Sequence, residues 1–313
     1  MKTMYRIGAL LGVFLLLAGC SSLLSGFSIG NIADTAIGAA AGNPSDTAKM
    51  NQLAQAGTAV QSAAAEITPE QEYYIGRAVA ATVLTTYKAW DGPAANAYLN
   101  RLARGLALAS VLPETYAGYH VLIMDTDDIN AFGAPSGFIL VSRGLLRCAS
   151  SEDEVAAILA HEIGHVSLKH GLHAISTARW TDAALQIGKF AAQNSDSQVL
   201  RDLTNSFGGV ISDIVKTMVT TGYSRDLEKQ ADLEGVRILH DVGYDPMAMV
   251  RMLTAMKARL KPDGKDFAKT HPDPDTRIAY VTVAINAQTP VAVPTAAQAR
   301  ARQVRYQAAL SKI

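Results

Sequence analysis

One short segment limits the folds open to this chain more than any other. Residues 156–160 read Ala-Ala-Ile-Leu-Ala, and His161-Glu162-Ile163-Gly164-His165 follows directly. An apolar residue at almost every position is typical of a helix that is buried on nearly all sides. Because residues four apart share one face of a helix, His161 and His165 are expected side by side in the protein interior.

This pair of histidines predicts a metal site. Two imidazoles on one helical face can both reach one Zn²⁺ ion, and a buried pair needs a polar partner of that kind. Glu162 lies at the edge of the same face, where it can act as a general base but not as a ligand. The alternative is a helix with two surface histidines, which the apolar context disfavours. Gly164 costs about 1 kcal/mol of helix stability, so it suggests close approach by a substrate or another helix.

A third protein ligand is needed, and residues 224–232 (Ser-Arg-Asp-Leu-Glu-Lys-Gln-Ala-Asp) offer one. Glu228 and Asp232 are four apart on a predicted helix, so they share a face. One carboxylate could bind zinc while the other accepts the free ring N–H of a ligand histidine. Spacing alone leaves open an exposed acidic face that pairs with Arg225 or Lys229.

The other histidines are weaker candidates for the third ligand. Those downstream of the motif are His170, His173, His240 and His271. His170 and His173 follow the point where the active face of the helix turns away, so we expect them at the surface or at a helix end. His120 and His240 are expected to be structural.

The first twenty residues predict export and a lipid anchor. Lys2 and Arg6 precede an apolar run at 7–17, and Leu-Ala-Gly-Cys follows at 17–20. This is typical of a signal peptide, and small residues before a cysteine resemble a bacterial lipobox. Cleavage after residue 19 would leave lipid on Cys20, which anchors a protein without spanning the membrane. The alternatives are a plain signal peptide or a short anchor, although the run is too short to cross a bilayer comfortably.

A lipidated Cys20 leaves Cys148 as the only thiol, because the chain has two cysteines. An intramolecular disulfide and a cysteine-based metal cluster are then both excluded. Cys148 follows Leu145 and Leu146 and is predicted to be a small core residue.

The rest of the chain predicts a mainly α fold (α+β) with a small sheet. Hydrophobic residues make up 49% of the chain and charged residues 18%, which indicates that most of the chain folds. The formal net charge is zero, which argues against nucleic-acid binding. We predict a signal peptide at 1–19, a flexible tether at 20–67, one domain at 68–286, and a linker with a C-terminal helix at 287–313.

Helices are expected at 68–90, 94–109, 152–173, 178–193, 197–220, 224–242, 246–260, 275–286 and 295–311. Strands are expected at 119–124 and 138–141. Capping boxes are predicted at Thr68–Gln71 and Ser151–Glu154.

Several motifs together resemble the CaaX-prenyl-protease-like zinc metallopeptidases, peptidase family M48, and above all their bacterial periplasmic lipoprotein branch. They are Asn-Ala-Phe-Gly-Ala-Pro-Ser-Gly at 130–137, Val-Ser-Arg-Gly-Leu-Leu at 141–146, His161 to His165, Ser224 to Asp232, and His271-Pro272 with Arg277-Ile278. The resemblance covers about residues 68–286 and implies a zincin-like domain with an active-site helix and an edge strand.

The resemblance also implies roles for single residues. Glu228 becomes the third zinc ligand, and Asp232 the partner of a ligand histidine. His271 corresponds to a histidine that in some relatives approaches the metal and blocks it until substrate arrives. Arg277 corresponds to a site arginine that supports the polarised carbonyl.

The predicted edge strand includes Asn130, Ala131, Phe132 and Gly133, along which an extended substrate would add as a β-strand. Relatives usually carry Pro-Gly-Gly where this chain has Pro135-Ser136-Gly137, so the local loop shape is where it departs from them.

Together these features predict a zinc metalloendopeptidase with one Zn²⁺ per chain. It would cleave proteins of the bacterial envelope, in quality control of misfolded or outer-membrane proteins. Glu162 would move the proton, while zinc with His271 or Arg277 would stabilise the oxyanion. One alternative is a chaperone-like assembly factor for outer-membrane proteins with dormant proteolysis. Another is a structural zinc with His271 as a fourth ligand.

The expected partners are protein or peptide substrates, the membrane through lipid on Cys20, and the outer-membrane assembly machinery, with no nucleic acid. The expected location is the periplasm. Ser21 is not the aspartate that often retains lipoproteins in the inner membrane, so the outer membrane is favoured.

Overall fold

The computed structural model describes residues 67–174, 208–259, 271, 273–292 and 294–313. The predicted signal peptide, Cys20, almost all of the predicted tether, and the predicted helix at 178–193 lie outside the described residues. All described residues belong to one unit, Ala65–Ile313. Among them, no helix combines the length and apolar character needed to cross a bilayer.

The described elements confirm a mainly helical fold with a small sheet. In chain order they are α1 (Pro69–Thr86), α2 (Pro93–Ala107), β1 (His120–Met124), β2 (Ala131–Ala134), β3 (Phe138–Ser142), α3 (Arg143–Leu146), α4 (Glu152–Ser167), α5 (His170–His173), α6 (Arg225–Val242), α7 (Met247–Lys257), α8 (Pro274–Asn286) and α9 (Ala296–Leu310). A 3₁₀ turn, Pro135–Gly137, joins β2 to β3, and residues 208–216 form a helix that ends in a π-helical turn, Thr217–Thr221.

The sheet has the order β1-β3-β2, parallel between β1 and β3 and antiparallel between β3 and β2. Alternate residues of β3 face opposite sides. Ile139 and Val141 pack into a core formed with α2 and α4, whereas Leu140 packs into a second core formed with α1. The central strand is therefore buried on both faces. Because β3 is central, β2 lies at an edge of the sheet.

Helix α1 begins as predicted and ends early. Thr68 and Gln71 form the expected capping box. The helix was predicted to reach residue 90, but it stops at Thr86. The chain there becomes extended and joins β1, since the Trp90 N–H donates to the Ile123 carbonyl oxygen at 2.8 Å. Tertiary pairing thus overrides the local preference for helix.

Helix α4, which carries the histidine motif, differs from prediction at both ends. Ser151 caps it by accepting the Glu154 N–H at 3.3 Å, but the Glu154 carboxylate accepts from the Ser150 N–H at 2.6 Å, so the reciprocal half of the capping box is absent. The helix was predicted to run to residue 173 and ends at Ser167. Lys169 then takes a left-handed conformation (φ 56°), and the short α5 turns back toward α4.

Glu72 of α1 contacts two turns that contain a residue with positive φ. One turn joins β2 to β3, and the other follows α4. Ser136 (φ 60°) and Lys169 are the non-glycine residues of the described chain that have positive φ. Glu72 is buried, accepts the Ser136 N–H at 3.1 Å, and lies 3.3 Å from the Lys169 Nζ. Glycine adopts the left-handed conformation of Ser136 without steric cost.

The C-terminal helix α9 packs on the N-terminal end of α4. Arg305 binds Glu152 through Nε at 3.0 Å and through Nη2, while the Tyr306 hydroxyl donates to the Ala149 carbonyl oxygen at 2.7 Å. Glu152 is buried and also accepts from the hydroxyls of Tyr98 and Tyr244. The predicted domain boundary at 286 stays a prediction, although α9 shares the core.

Ser136→Gly should stabilise the protein. A side chain in the left-handed region costs about 1–2 kcal/mol, and the added freedom of glycine in the unfolded chain offsets about 0.5–1 kcal/mol of the gain. We expect a net gain of about 0.5–1 kcal/mol in chemical denaturation. Ser136→Ala keeps the Cβ atom and should show no gain. A loss of stability in the glycine variant would contradict the strain argument.

Candidate metal centre

The site is built where α4 and α6 meet at backbone distance. A Cβ atom on Gly164 would lie 2.7 Å from the Ala231 carbonyl oxygen, and one on Gly235 would lie 3.2 Å from the His161 amide nitrogen. The close approach expected at Gly164 is therefore that of another helix. This contact sets the face of α4 that carries the histidines opposite the face of α6 that carries the carboxylates.

Four buried residues bring their ligand atoms within 4.8 Å of one another: His161, His165, Glu228 and His271. We call them the ligand cluster. The two histidine Nε2 atoms are 3.1 Å apart. Glu228 Oε1 is 3.3 Å from His165 Nε2, and Glu228 Oε2 is 3.7 Å from His161 Nε2. These four residues can hold a metal ion.

The geometry fits zinc. Ligands about 2.1 Å from a tetrahedral ion lie about 3.4 Å from one another, close to the three separations just given. The Nδ1 atoms of both histidines face other partners, so both Nε2 atoms can present lone pairs to the same point. Glu228 Oε1 is buried without a hydrogen-bond partner, as an atom reserved for a cation would be. Two facing lone pairs at 3.1 Å repel each other unless a cation lies between them.

Asp232 lies behind His161 and is itself held in place. Its Oδ1 is 2.8 Å from His161 Nδ1. Arg277 donates to Asp232 from Nη2 at 2.6 Å and from Nε at 2.9 Å, and the Tyr280 hydroxyl also donates to it. Arg277, which was predicted to support the polarised carbonyl, is buried and hydrogen-bonds to Asp232. Its predicted role stays a prediction.

His170 is a site residue that the sequence analysis missed. It lies at a helix end, which was one of the two expected positions, but it is fully buried rather than at the surface. Its Nδ1 lies 3.0 Å from the Nδ1 of His165. The cause is the turn at Lys169, which ends α4 and folds the chain back. His173, by contrast, is exposed at the end of α5. Tyr223 was also missed, and its ring stacks on His165 with centroids 4.4 Å apart.

Glu162 is buried beside the edge strand. A Cβ on Gly133 would lie 2.8 Å from the Glu162 carbonyl oxygen and 3.2 Å from Oε2, so β2 passes directly over this residue. Burial raises the pKa of Glu162 to about 7, against the lowering effects of nearby His165 and of a hydrogen bond from the Gly133 backbone. Asn130, which precedes β2, is buried and uses its side-chain oxygen to accept the Ala131 N–H.

His161 and Glu228 have the charge states that metal binding requires. Burial, with the positive charge of Arg277, lowers the pKa of His161 to about 4, so the ring is neutral at pH 7. Burial alone would raise the pKa of Glu228, but His271 and His165 outweigh it and hold that pKa well below its usual range. Neutral imidazoles and an ionised carboxylate are the forms that bind a metal.

His271 approaches the cluster from the residues before α8. Its Nδ1 is 2.7 Å from Glu228 Oε2. The alternative of an exposed acidic face does not fit, because Glu228 and Asp232 are fully buried. His120 and His240 contact backbone carbonyl oxygens, of Ala117 and Thr289 respectively, away from the cluster.

Comparison with known proteins agrees with the motif-based resemblance at the level of the family. The sequence profile of peptidase family M48 matches residues 93–284, more than half of the chain. The chain is 26% identical over 209 residues to the beta-barrel assembly-enhancing protease of Escherichia coli, covering 65% of this chain and 41% of that protein. It is 30% identical over 155 residues to the mitochondrial metalloendopeptidase OMA1 of Arabidopsis thaliana, covering 49% and 29%. It is 31% identical over 160 residues to the metalloprotease YcaL of Escherichia coli, covering 49% and 56%. The chain thus spans about two fifths of the length of the assembly-enhancing protease that it matches.

Gly164→Ala should destabilise the protein even though alanine favours helix by about 1 kcal/mol. The new methyl group would meet a backbone carbonyl that cannot move cheaply, and overpacking of this kind costs about 1–3 kcal/mol. We expect a net loss of up to about 2 kcal/mol in thermal or chemical unfolding.

Gly105→Ala is the matched control, because a Cβ at Gly105 meets no atom within 4 Å. It should stabilise by up to about 1 kcal/mol. Equal effects of the two substitutions would contradict the account of the α4–α6 contact.

Proposed function

Because this chain belongs to peptidase family M48, we propose that it is a zinc-dependent endopeptidase that hydrolyses peptide bonds of proteins. The observation that carries the proposal is the convergence of His161, His165 and Glu228 from two helices, with Glu162 buried beside them. A ligand set of two histidines and a glutamate is typical of catalytic zinc sites, which keep a position open.

His161, His165 and Glu228 would hold the metal, and Asp232 and His170 contact the far nitrogens of the two histidines. Zinc in such a site supplies a Lewis acid for the scissile carbonyl and lowers the pKa of a water molecule toward 7. Glu162 accepts a proton as water attacks the carbonyl and then delivers it to the leaving amine. Its position supports this role, since its carboxylate lies between α4 and the edge strand.

The edge strand is the proposed substrate-binding element. β2 pairs with β3 along one side, and within the described chain no strand pairs with its other side. An extended peptide that adds along β2 would pass Gly133, next to Glu162. Recognition through backbone hydrogen bonds tolerates many side-chain sequences, which suits a protease that acts on misfolded proteins.

Arg277 is proposed as a positioning residue rather than a direct contact of the substrate. Its two hydrogen bonds fix Asp232, and Asp232 in turn fixes the ring of His161. His271 is the remaining candidate for a hydrogen bond to the oxyanion, because it belongs to the ligand cluster.

The proposed location is the periplasmic face of the outer membrane, through lipid on Cys20. The N-terminal pattern of Lys2, Arg6, an apolar run and Leu-Ala-Gly-Cys supports export and lipidation. The name of the Escherichia coli relative supports a substrate class of outer-membrane proteins and a link to their assembly machinery.

A second candidate function is a chaperone-like assembly factor for outer-membrane proteins. One observation favours it: His271 hydrogen-bonds to the ligand Glu228 at 2.7 Å, and it could close the position that substrate needs. Binding through β2 would then be the activity, with proteolysis dormant.

Glu162→Gln should abolish cleavage of casein or a peptide while it leaves zinc content unchanged, because the amide keeps the shape of the side chain but cannot accept the proton. His161→Ala should instead lose the metal. Zinc content is measured by elemental analysis and cleavage by fluorescence release, with His173→Asn as an exposed control. Full activity in the Glu162 variant would exclude its role as the base. If that variant fully restores a deletion strain, the assembly-factor candidate is favoured.

Cys20→Ala should abolish incorporation of the fatty acid, because a single cysteine is proposed to carry the lipid. The comparison is made by fractionation and by metabolic labelling with a fatty acid. Cys148→Ala is the matched control and should keep both label and membrane association, since Cys148 is buried in the folded domain. Label that persists in the Cys20 variant would contradict the lipoprotein proposal.

A further inference from the structure

We propose that His170 is a positioning residue that orients His165 and fixes its tautomer for metal binding. The inference rests on the proposed function, because it assigns a role relative to the zinc that the ligand cluster would hold. Carboxylates, backbone carbonyls and water are the usual partners of a ligand histidine, so a second histidine in this place is a specific feature of the site.

The argument begins with the two nitrogens of His165. Its Nε2 faces His161 Nε2 at 3.1 Å and Glu228 Oε1 at 3.3 Å, so it must present a lone pair there if it binds a metal. A neutral imidazole then carries its hydrogen on Nδ1. The atom that faces this hydrogen is His170 Nδ1, at 3.0 Å. His170 therefore accepts, and its own hydrogen lies on Nε2.

The orientation of the rings agrees with a hydrogen bond rather than a stack. The ring centroids of His165 and His170 are 5.1 Å apart and the planes are inclined by 76°. The face of His165 is covered instead by Tyr223, whose ring is inclined by only 21°. His165 is thus fixed in its plane by His170 and against tilting by Tyr223.

The backbone is shaped to bring His170 to this point. Lys169 takes the left-handed conformation just before it and lies 3.3 Å from the buried Glu72 carboxylate. On the other side, a Cβ on Gly171 would lie 3.1 Å from the Pro135 ring. A continued α4 would carry residue 170 past His165, because five residues turn a helix by about 500°. The end of α4 at Ser167 and the turn at Lys169 therefore bring His170 into contact with His165.

A neutral acceptor also suits the charge balance of the site. Glu162, Glu228 and Asp232 already place three carboxyl groups in the interior, where each unpaired charge is expensive. Asp232 is compensated by Arg277. A fourth carboxylate behind His165 would need a cation of its own, whereas an imidazole supplies the acceptor without charge.

Three substitutions at His170 separate positioning from packing. The side-chain oxygen of asparagine lies the same number of bonds from Cα as Nδ1 of histidine, and that of glutamine as Nε2. The full chain carrying His170→Ala, His170→Asn or His170→Gln is compared with wild type in its affinity for zinc, measured by competition with a chromophoric chelator. His173→Asn, at an exposed position of the same turn, is the control.

We expect the alanine variant to bind zinc about 10–100-fold more weakly, as is typical when a partner of a ligand histidine is removed. Asparagine should restore most of this affinity, glutamine should not, and the control should match wild type. Wild-type affinity in the alanine variant, or equal affinity in the asparagine and glutamine variants, would overturn the proposal. The second comparison holds even if alanine fails to fold. If wild type itself binds no zinc, the proposed function fails and the inference with it.

Discussion

The backbones of α4 and α6 approach so closely that a methyl group on Gly164 would lie 2.7 Å from the Ala231 carbonyl oxygen. The distances from His161 and His165 to Glu228 depend on this contact, because the two histidines belong to α4 and Glu228 to α6. Side chains at the contact would separate the helices and pull Glu228 away from the histidines. Gly164 and Gly235 therefore lower the helix propensity of α4 and α6, but they allow the close contact that fixes the distance between ligands from different parts of the chain.

The interior around this contact contains buried carboxylates and histidines that contact one another. Asp232 lies between His161 and Arg277, while His165 lies between Glu228 and His170. Charges buried without such partners would cost several kcal/mol each. Burial and the charge of Arg277 keep His161 neutral, and nearby His271 and His165 keep Glu228 ionised. The contacts at the two Nδ1 atoms set the direction in which each Nε2 lone pair points.

The sequence was informative where one local rule decides the structure. The apolar run around His161 and His165 predicted a buried helix, and Thr68 with Gln71 predicted the start of α1. Glu228 was only one of several candidate ligands until the motifs were compared with a family, because residues 63 or more positions apart carry no periodic signal. β2 is four residues long and fully buried, so it lacks the alternation that marks a strand. His170 was missed because nothing in a run such as Leu168-Lys169-His170 predicts a left-handed lysine, which here depends on Glu72 from a distant helix.

A zinc titration of the metal-free protein tests the central claim most directly. Increasing amounts of zinc are added to the chelated full chain, and the initial rate of peptide cleavage is measured at each step. The account predicts no cleavage without metal and a linear rise that stops at one zinc per chain, because one ligand cluster holds one ion. Cleavage that does not depend on zinc, or one tightly bound zinc per chain without cleavage, would contradict it.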